Sequence, residues 1–209
     1  MTYTLYWSRY AGSLAPLCLL IESGVSFETV QIDTRQGAHK EEGYIRDVHP
    51  LGTVPALRLP DGRVLLESGA MILHLADLAP GFAPETGSKE RPAFLDWVLF
   101  GAATLYPTCQ RIHQTEGIVP DEAARDATRQ WAIETLDRSW EVVERALDGS
   151  GPFLFGARPS GADVYLAMLA LWHPEPDRLD GAYPKAAAMK AGVLELRSMR
   201  QTLDLHGLG

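Results

Sequence analysis

The sequence predicts an α/β unit followed by an all-α unit: residues 1–79, a linker at 80–88, and an all-helical domain over 89–209. Three observations carry that division. A β-prone run, an apolar helical stripe and a second β-prone run open the chain. Residues 56–78 then hold a hairpin pattern that changes to helical period near Ser68. Beyond the linker the strand signals vanish and apolar residues recur at helical spacing.

In order, residues 3–7 (YTLYW) are the first strand and residues 8–12 a loop. Leu14, Leu17, Cys18 and Ile21 form one helical stripe, with Pro16 tolerable in the first turn and Gly24 closing the end. Cys18 therefore reads as a buried small apolar residue. Residues 27–32 are the second strand, and the polar segment 35–48 reads as a short irregular helix. Two apolar runs, 56–59 and 63–66, flank Pro60-Asp61-Gly62, a strong hairpin signal because Gly accepts the positive φ of a tight turn. Ala70, Ile72, Leu73, Ala76 and Leu78 carry the helix that follows. Strand–helix–strand, then hairpin and helix, describes a thioredoxin-like unit.

Residues 79–88 (APGFAPETGS) hold two Pro and two Gly with little periodicity, as a linker would. Residues 89–114 read as a helix kinked at Pro107. Residues 121–147 form a long amphipathic helix, with Ala124, Ala127, Trp131, Leu136, Trp140, Val143 and Leu147 on one face. Residues 149–159 break it. Ser160 and Asp163 then fit a capping box, with Asp in the place of Glu or Gln, before the apolar helix 164–172.

The chain of 209 residues is 46% hydrophobic and 22% charged, a composition that supports a sizeable core. A net charge of −8 argues against nucleic acid or anionic membrane as a partner. An anionic ligand would thus need a local positive patch. Neither a secretory leader nor a transmembrane run is expected. Two cysteines without metal-ligand or redox spacing fit a reducing cytoplasm and no metal site.

The chemistry concentrates in residues 49–78. Val54 precedes Pro55, which favours extended geometry and permits a cis bond; a cis bond would turn the Val54 main chain outward to pair with an extended peptide. Glu67-Ser68 sits at a helix start, where unpaired N–H groups and a serine hydroxyl suit a carboxylate and the acidic side chain suits an ammonium. One small area could hold an amino-acid head group and a peptide backbone together.

The pattern P-x-G-x-V-P-A-L, a D-G hairpin and E-S-G-A opening a helix resembles the glutathione-binding half of the cytosolic glutathione transferases. The segment FLFGARPSGADVYLA resembles their helical domain, where it is a structural cap, the role this gives Asp163. The resemblance spans most of the chain and is weak after Trp172. It implies a transferase using glutathione as co-substrate against a small hydrophobic electrophile, acting as a cytoplasmic homodimer. Val54, with Pro55, would pair with the cysteinyl backbone of glutathione, and Glu67 and Ser68 would hold its γ-glutamyl end. His39 and Thr53 fall where family members contact the glycine carboxylate; an extra residue before Thr53 shifts the register, its side chain is short for that contact, and a lone surface histidine is the other reading of His39.

Conjugation needs the thiolate, whereas a free thiol titrates near about 8.5. The family places the sulphur by the loop after the first strand, here residues 8–13. G-S-L-A-P resembles the bacterial beta class, with Gly12 where that class carries cysteine, so a mixed-disulfide route is lost. Ser13 remains as thiolate donor, as in serine-type members, with an N-cap as its other reading. Tyr10 is the alternative donor, or a wall of the acceptor pocket. Tyr10, Phe100, Tyr106, Cys109 and His113 are the pocket candidates; Tyr106 stands where beta-class members have histidine. Tyr106, Cys109 and His113 share one helical face, which could equally be domain-interface core. Gly12, Thr53 and the missing histidine leave open a glutathione-binding protein with little catalysis. The same thiolate could also serve an isomerase or dehalogenase.

Overall fold

The structure is a computed structural model that describes residues 2–147, 149 and 151–208. Four strands, β1 (Tyr3–Trp7), β2 (Phe27–Gln31), β3 (Ala56–Arg58) and β4 (Val64–Leu65), form one sheet in the order β2-β1-β3-β4. β1 and β2 run parallel, joined by a crossover through α1 (Leu14–Ser23); the β1–β3 and β3–β4 pairs are antiparallel. A 3-10 turn (Ala38–Lys40) and α2 (Glu42–Asp47) fill the segment expected to be irregular, and α3 (Ser68–Leu78) follows the hairpin.

α1 is buried from Leu14 to Leu20 without interruption. Its stripe is wider than the four positions read from the sequence because both α3 and the last helix pack on it. Burial of each such leucine contributes about 1.5–3 kcal/mol. Gly24 ends the helix in the left-handed conformation, its N–H bonded to the Ile21 carbonyl, as its position predicted. Gly62, at φ 90°, supplies the hairpin turn.

The chain divides into two compact units, with the boundary between Ala83 and Pro84. The segment from Leu194 onward, which holds α11 (Arg197–His206), belongs to the first unit instead of the helical one. Its sequence is helical, but Ser198, Met199, Thr202 and His206 are buried and α11 packs on α1.

The second unit contains α4 (Arg91–Phe100), α5 (Tyr106–His113), α6 (Thr115–Ile118), α7 (Glu122–Ala146), α8 (Gly161–Ala170), α9 (Pro176–Ala182) and all but the last residue of α10 (Pro184–Leu194). α4 and α5 are joined by a π turn, Gly101–Leu105, just before Pro107. The missing N–H of Pro107 removes one i→i−4 bond, and the widened turn takes up the change that the sequence suggested as a kink. A Cβ at Gly101 would lie 2.8 Å from the Tyr165 ring, so glycine lets α4 and α8 approach. On α7, Leu136, Trp140 and Val143 are buried as expected, but Trp131 is 52% exposed, its ring carrying the Arg111 guanidinium at 5.9 Å. Both arms of the Ser160–Asp163 capping box are made. No helix among the described residues is long and apolar enough to cross a membrane.

Candidate functional site

Strand pairing gathers the predicted residues. Tyr6 lies opposite Ala56 and Leu57 opposite Leu65 in antiparallel register. The carboxyl end of β1, the amino end of β3 and the carboxyl end of β4 therefore share one edge of the sheet. Val54-Pro55 enters β3 there, Glu67-Ser68 leaves β4 there, and the loop 8–13 leaves β1 there.

The Val54–Pro55 bond is cis. Among the described residues nothing hydrogen-bonds the Val54 main chain, although the residues before it are held firmly. The Tyr44 hydroxyl donates to the Thr53 carbonyl at 2.7 Å, and burial pushes the Tyr44 pKa up to about 12. The Lys40 ammonium donates to the Gly52 and Leu51 carbonyls at 2.8 and 3.2 Å. His49 Nδ1 accepts from the Leu51 N–H, which fixes its proton on Nε2, facing Thr53 Oγ1 at 2.8 Å. Gly52 has φ 58°, and a Cβ there would meet the His39 carbonyl at 2.5 Å, so both conformation and space require glycine.

Thr53 is thus tied to His49 by its short side chain. His39 sits on the turn packed against Gly52; its Nδ1 is buried without a partner among the described residues, and burial, with Lys40 nearby, lowers its pKa. A neutral imidazole is a donor or acceptor here, not a cation. The cation at this place is Lys40, which the sequence reading passed over; the basic pair in GAHK was its only signal.

Ser68 opens α3 and is 9% exposed; Glu67, extended and exposed, precedes it. The first intrahelical bond runs from Met71 N–H to the Glu67 carbonyl, so the Gly69 and Ala70 amides have no acceptor within the helix. That end of α3 attracts an anion, and Glu67 beside it an ammonium.

The loop 8–13 separates the two proposed donors. Ser13 has no exposed surface and its hydroxyl donates inward to the Ser8 carbonyl at 3.3 Å; it stands at the helix entry yet makes no side-chain cap bond. Tyr10 is 49% exposed and is the one non-glycine among the described residues at positive φ, 50°. Of the two residues, Tyr10 is the exposed one and Ser13 the buried one, a difference no local pattern encodes.

In the helical unit, the Tyr106 ring stands edge-on to Trp172 at 5.0 Å, and His113 Nε2 donates to the Trp172 carbonyl at 2.6 Å. Cys109 between them is 1% exposed, with burial pushing its thiol up to about 12. On that shared face only Cys109 is buried; Tyr106 is half-buried and His113 exposed. Phe100 is half-buried against Trp97 at 5.4 Å. Asp163 is fully buried and accepts from the N–H groups of Leu154 and Ser160, a structural role. Among the described residues no cluster of three histidine, cysteine or acidic side chains could hold a metal ion.

Comparison with known proteins agrees with this architecture. Residues 13–78 match the family model of the glutathione S-transferase N-terminal domain, and residues 120–172 that of the C-terminal domain. Glutathione S-transferase GstA of Escherichia coli O157:H7 is 28% identical, over 98% of either chain. A crystal structure of a glutathione transferase from Methylococcus capsulatus is 32% identical, covering 99% of this chain and 100% of its own, with a TM-score of 0.80. A sphingomonad glutathione S-transferase complexed with glutathione is 28% identical, with the same coverage and a TM-score of 0.81.

Proposed function

This chain belongs to the glutathione S-transferase family, and from that premise we propose that it binds reduced glutathione along the carboxyl edge of β1 and directs its thiolate at a small hydrophobic electrophile. One observation carries the reading. An unpartnered main-chain segment at Val54, an anion-attracting helix start at Ser68 with Glu67 beside it, and a hydroxyl-bearing loop all emerge at the same sheet edge. Those are the three things that a γ-glutamyl-cysteinyl peptide presents in order: a charged head group, an extended backbone and a sulphur.

In this reading the cysteinyl backbone pairs with Val54, the γ-glutamyl carboxylate meets the Ser68 hydroxyl and the first amides of α3, and its ammonium faces Glu67. The glycine carboxylate lies towards Lys40 and His39, with Thr53 a minor contributor because His49 holds it. The sulphur lies over the loop 8–13. Its proton leaves to solvent, a hydroxyl donor holds the thiolate, and the new carbon–sulphur bond forms as the electrophile's leaving group or π electrons depart. Tyr10 is the exposed donor. Ser13 can serve only by giving up the Ser8 carbonyl, a long bond that is cheap to exchange, and by becoming accessible. Of the acceptor candidates, Tyr10, Phe100, Tyr106 and His113 keep surface to offer, while Cys109 does not. The protein works in the cytoplasm as a homodimer, as the resemblance implies.

The closed Ser13 favours a second reading, a glutathione-binding protein with little catalysis. A panel of a chloronitrobenzene, an isothiocyanate and a peroxide separates the two. Glutathione-dependent turnover of any of them supports the transferase; none, with glutathione still bound, supports the binding protein.

A further inference from the structure

α11 ends at the sulphur loop. The Tyr10 N–H donates to His206 Nδ1 at 3.2 Å, across 196 residues of sequence. The same imidazole lies against the ring of Trp7, the last residue of β1, with centroids 4.7 Å apart. His206 is 2% exposed, and Gly207 then closes α11 at φ 71°. The Arg9 guanidinium stands 3.9 Å from where a Gly207 Cβ would be, so two successive loop residues meet this helix end. α11 is itself tied to α1: Ser198 Oγ donates to Glu22 at 2.5 Å and faces Cys18 Sγ at 3.3 Å.

The detail that separates His206 from an ordinary core histidine is what it holds. Tyr10 is a bulky residue in the left-handed region, a conformation that persists only where surroundings impose it. Because Nδ1 accepts, the proton sits on Nε2, which is buried and has no partner among the described residues. The ring's polar contact is spent on the Tyr10 amide. Burial pushes the His206 pKa down to about 4, so the acceptor survives at neutral pH.

We infer that His206 is a positioning residue: from the end of α11 it clamps the main chain of Tyr10 and so fixes the loop that receives the glutathione sulphur. This rests on the glutathione reading above, but the clamp has a readout of its own.

Two variants divide the ring from its acceptor. His206→Phe keeps an aromatic ring against Trp7 and loses the acceptor; His206→Asn keeps an acceptor near the Nδ1 position and loses the ring. Deuterium uptake of the peptide spanning residues 8–13 is measured first, without glutathione. His206→Phe should exchange roughly tenfold or more faster there, and His206→Asn close to wild type. With glutathione bound, the ultraviolet absorbance of the thiolate against pH should show its pKa raised by about one unit in His206→Phe, with kcat down roughly tenfold and the KM for glutathione within about twofold. His206→Asn should recover most of that loss. Unchanged exchange in His206→Phe would overturn the inference, as would an Asn variant as impaired as Phe, or a fall in thermal stability alone with thiol pKa and kcat unmoved. If the wild type binds no glutathione, the functional reading falls and the clamp is decided by exchange alone.

Discussion

Asp163→Ala tests whether the most recognisable acid of the helical unit is scaffold or site. Its carboxylate has no exposed surface and accepts three hydrogen bonds, from Leu154 N–H at 2.9 Å, Ser160 N–H at 2.8 Å and Ser160 Oγ at 2.6 Å. Alanine leaves both amides without that acceptor, at about 1–3 kcal/mol each, and removes the acceptor of the Ser160 hydroxyl, about 1 kcal/mol more. Burial raises the Asp163 pKa despite these donors, so removing the carboxylate also relieves some desolvation. The net loss is about 3–5 kcal/mol, a large share of the 5–15 typical of a folded chain. For a chain of this size that is a fall of roughly 10 °C in Tm, read by circular dichroism. Asp163→Asn keeps one acceptor and should lose about half as much. At a temperature where the variant remains folded, its glutathione affinity should match wild type. A shift below about 2 °C, or weakened glutathione binding in folded protein, would refute the reasoning.

Other expectations follow from the same geometry. Ser68→Ala should weaken glutathione binding by about 10- to 100-fold, the value of a hydrogen bond to a charged group, measured by titration. Tyr10→Phe should lower kcat more than Ser13→Ala does, in steady-state assays with a chloronitrobenzene, since only the tyrosine is exposed. Cys18 and Cys109, both buried with pKa values pushed up to about 12, should resist iodoacetamide in the native protein and react fully in urea. Stability should fall on acidification. An unfolded histidine takes its proton near 6.5 and His206 only near about 4, so protons favour the unfolded chain below 6.5; His173 and His74, also lowered by burial, act in the same direction. His206 alone contributes about 3 kcal/mol of loss between pH 7 and pH 4, and urea midpoints of His206→Phe should show a correspondingly shallower slope.

What the sequence disclosed was local. Asp61-Gly62 announced the hairpin, Gly24 the end of α1, Ser160 with Asp163 the cap of α8, and the change of period at Ser68 the start of α3, because each is a rule about neighbouring residues. What it withheld depends on distant parts of the chain. Trp131 follows the apolar period of α7 yet stays 52% exposed, with the Arg111 guanidinium over its ring instead of apolar core. Ser13 looked like an available hydroxyl until the surrounding chain closed over it. Lys40 gained meaning only when the fold set it against Gly52, and His206 only when α11 returned to the first unit. The candidate glutathione contacts were legible because a short contiguous motif carries them. The contacts of His206 with Tyr10 and Trp7 were not, since they join opposite ends of the chain.

The most direct measurement is isothermal titration of the purified protein with reduced glutathione. Saturable binding at one site per chain, with a dissociation constant at or below about millimolar and lost or much weakened in Ser68→Ala, is the result this account requires. No heat of binding at millimolar glutathione, or binding that Ser68→Ala and Glu67→Gln leave untouched, would contradict it.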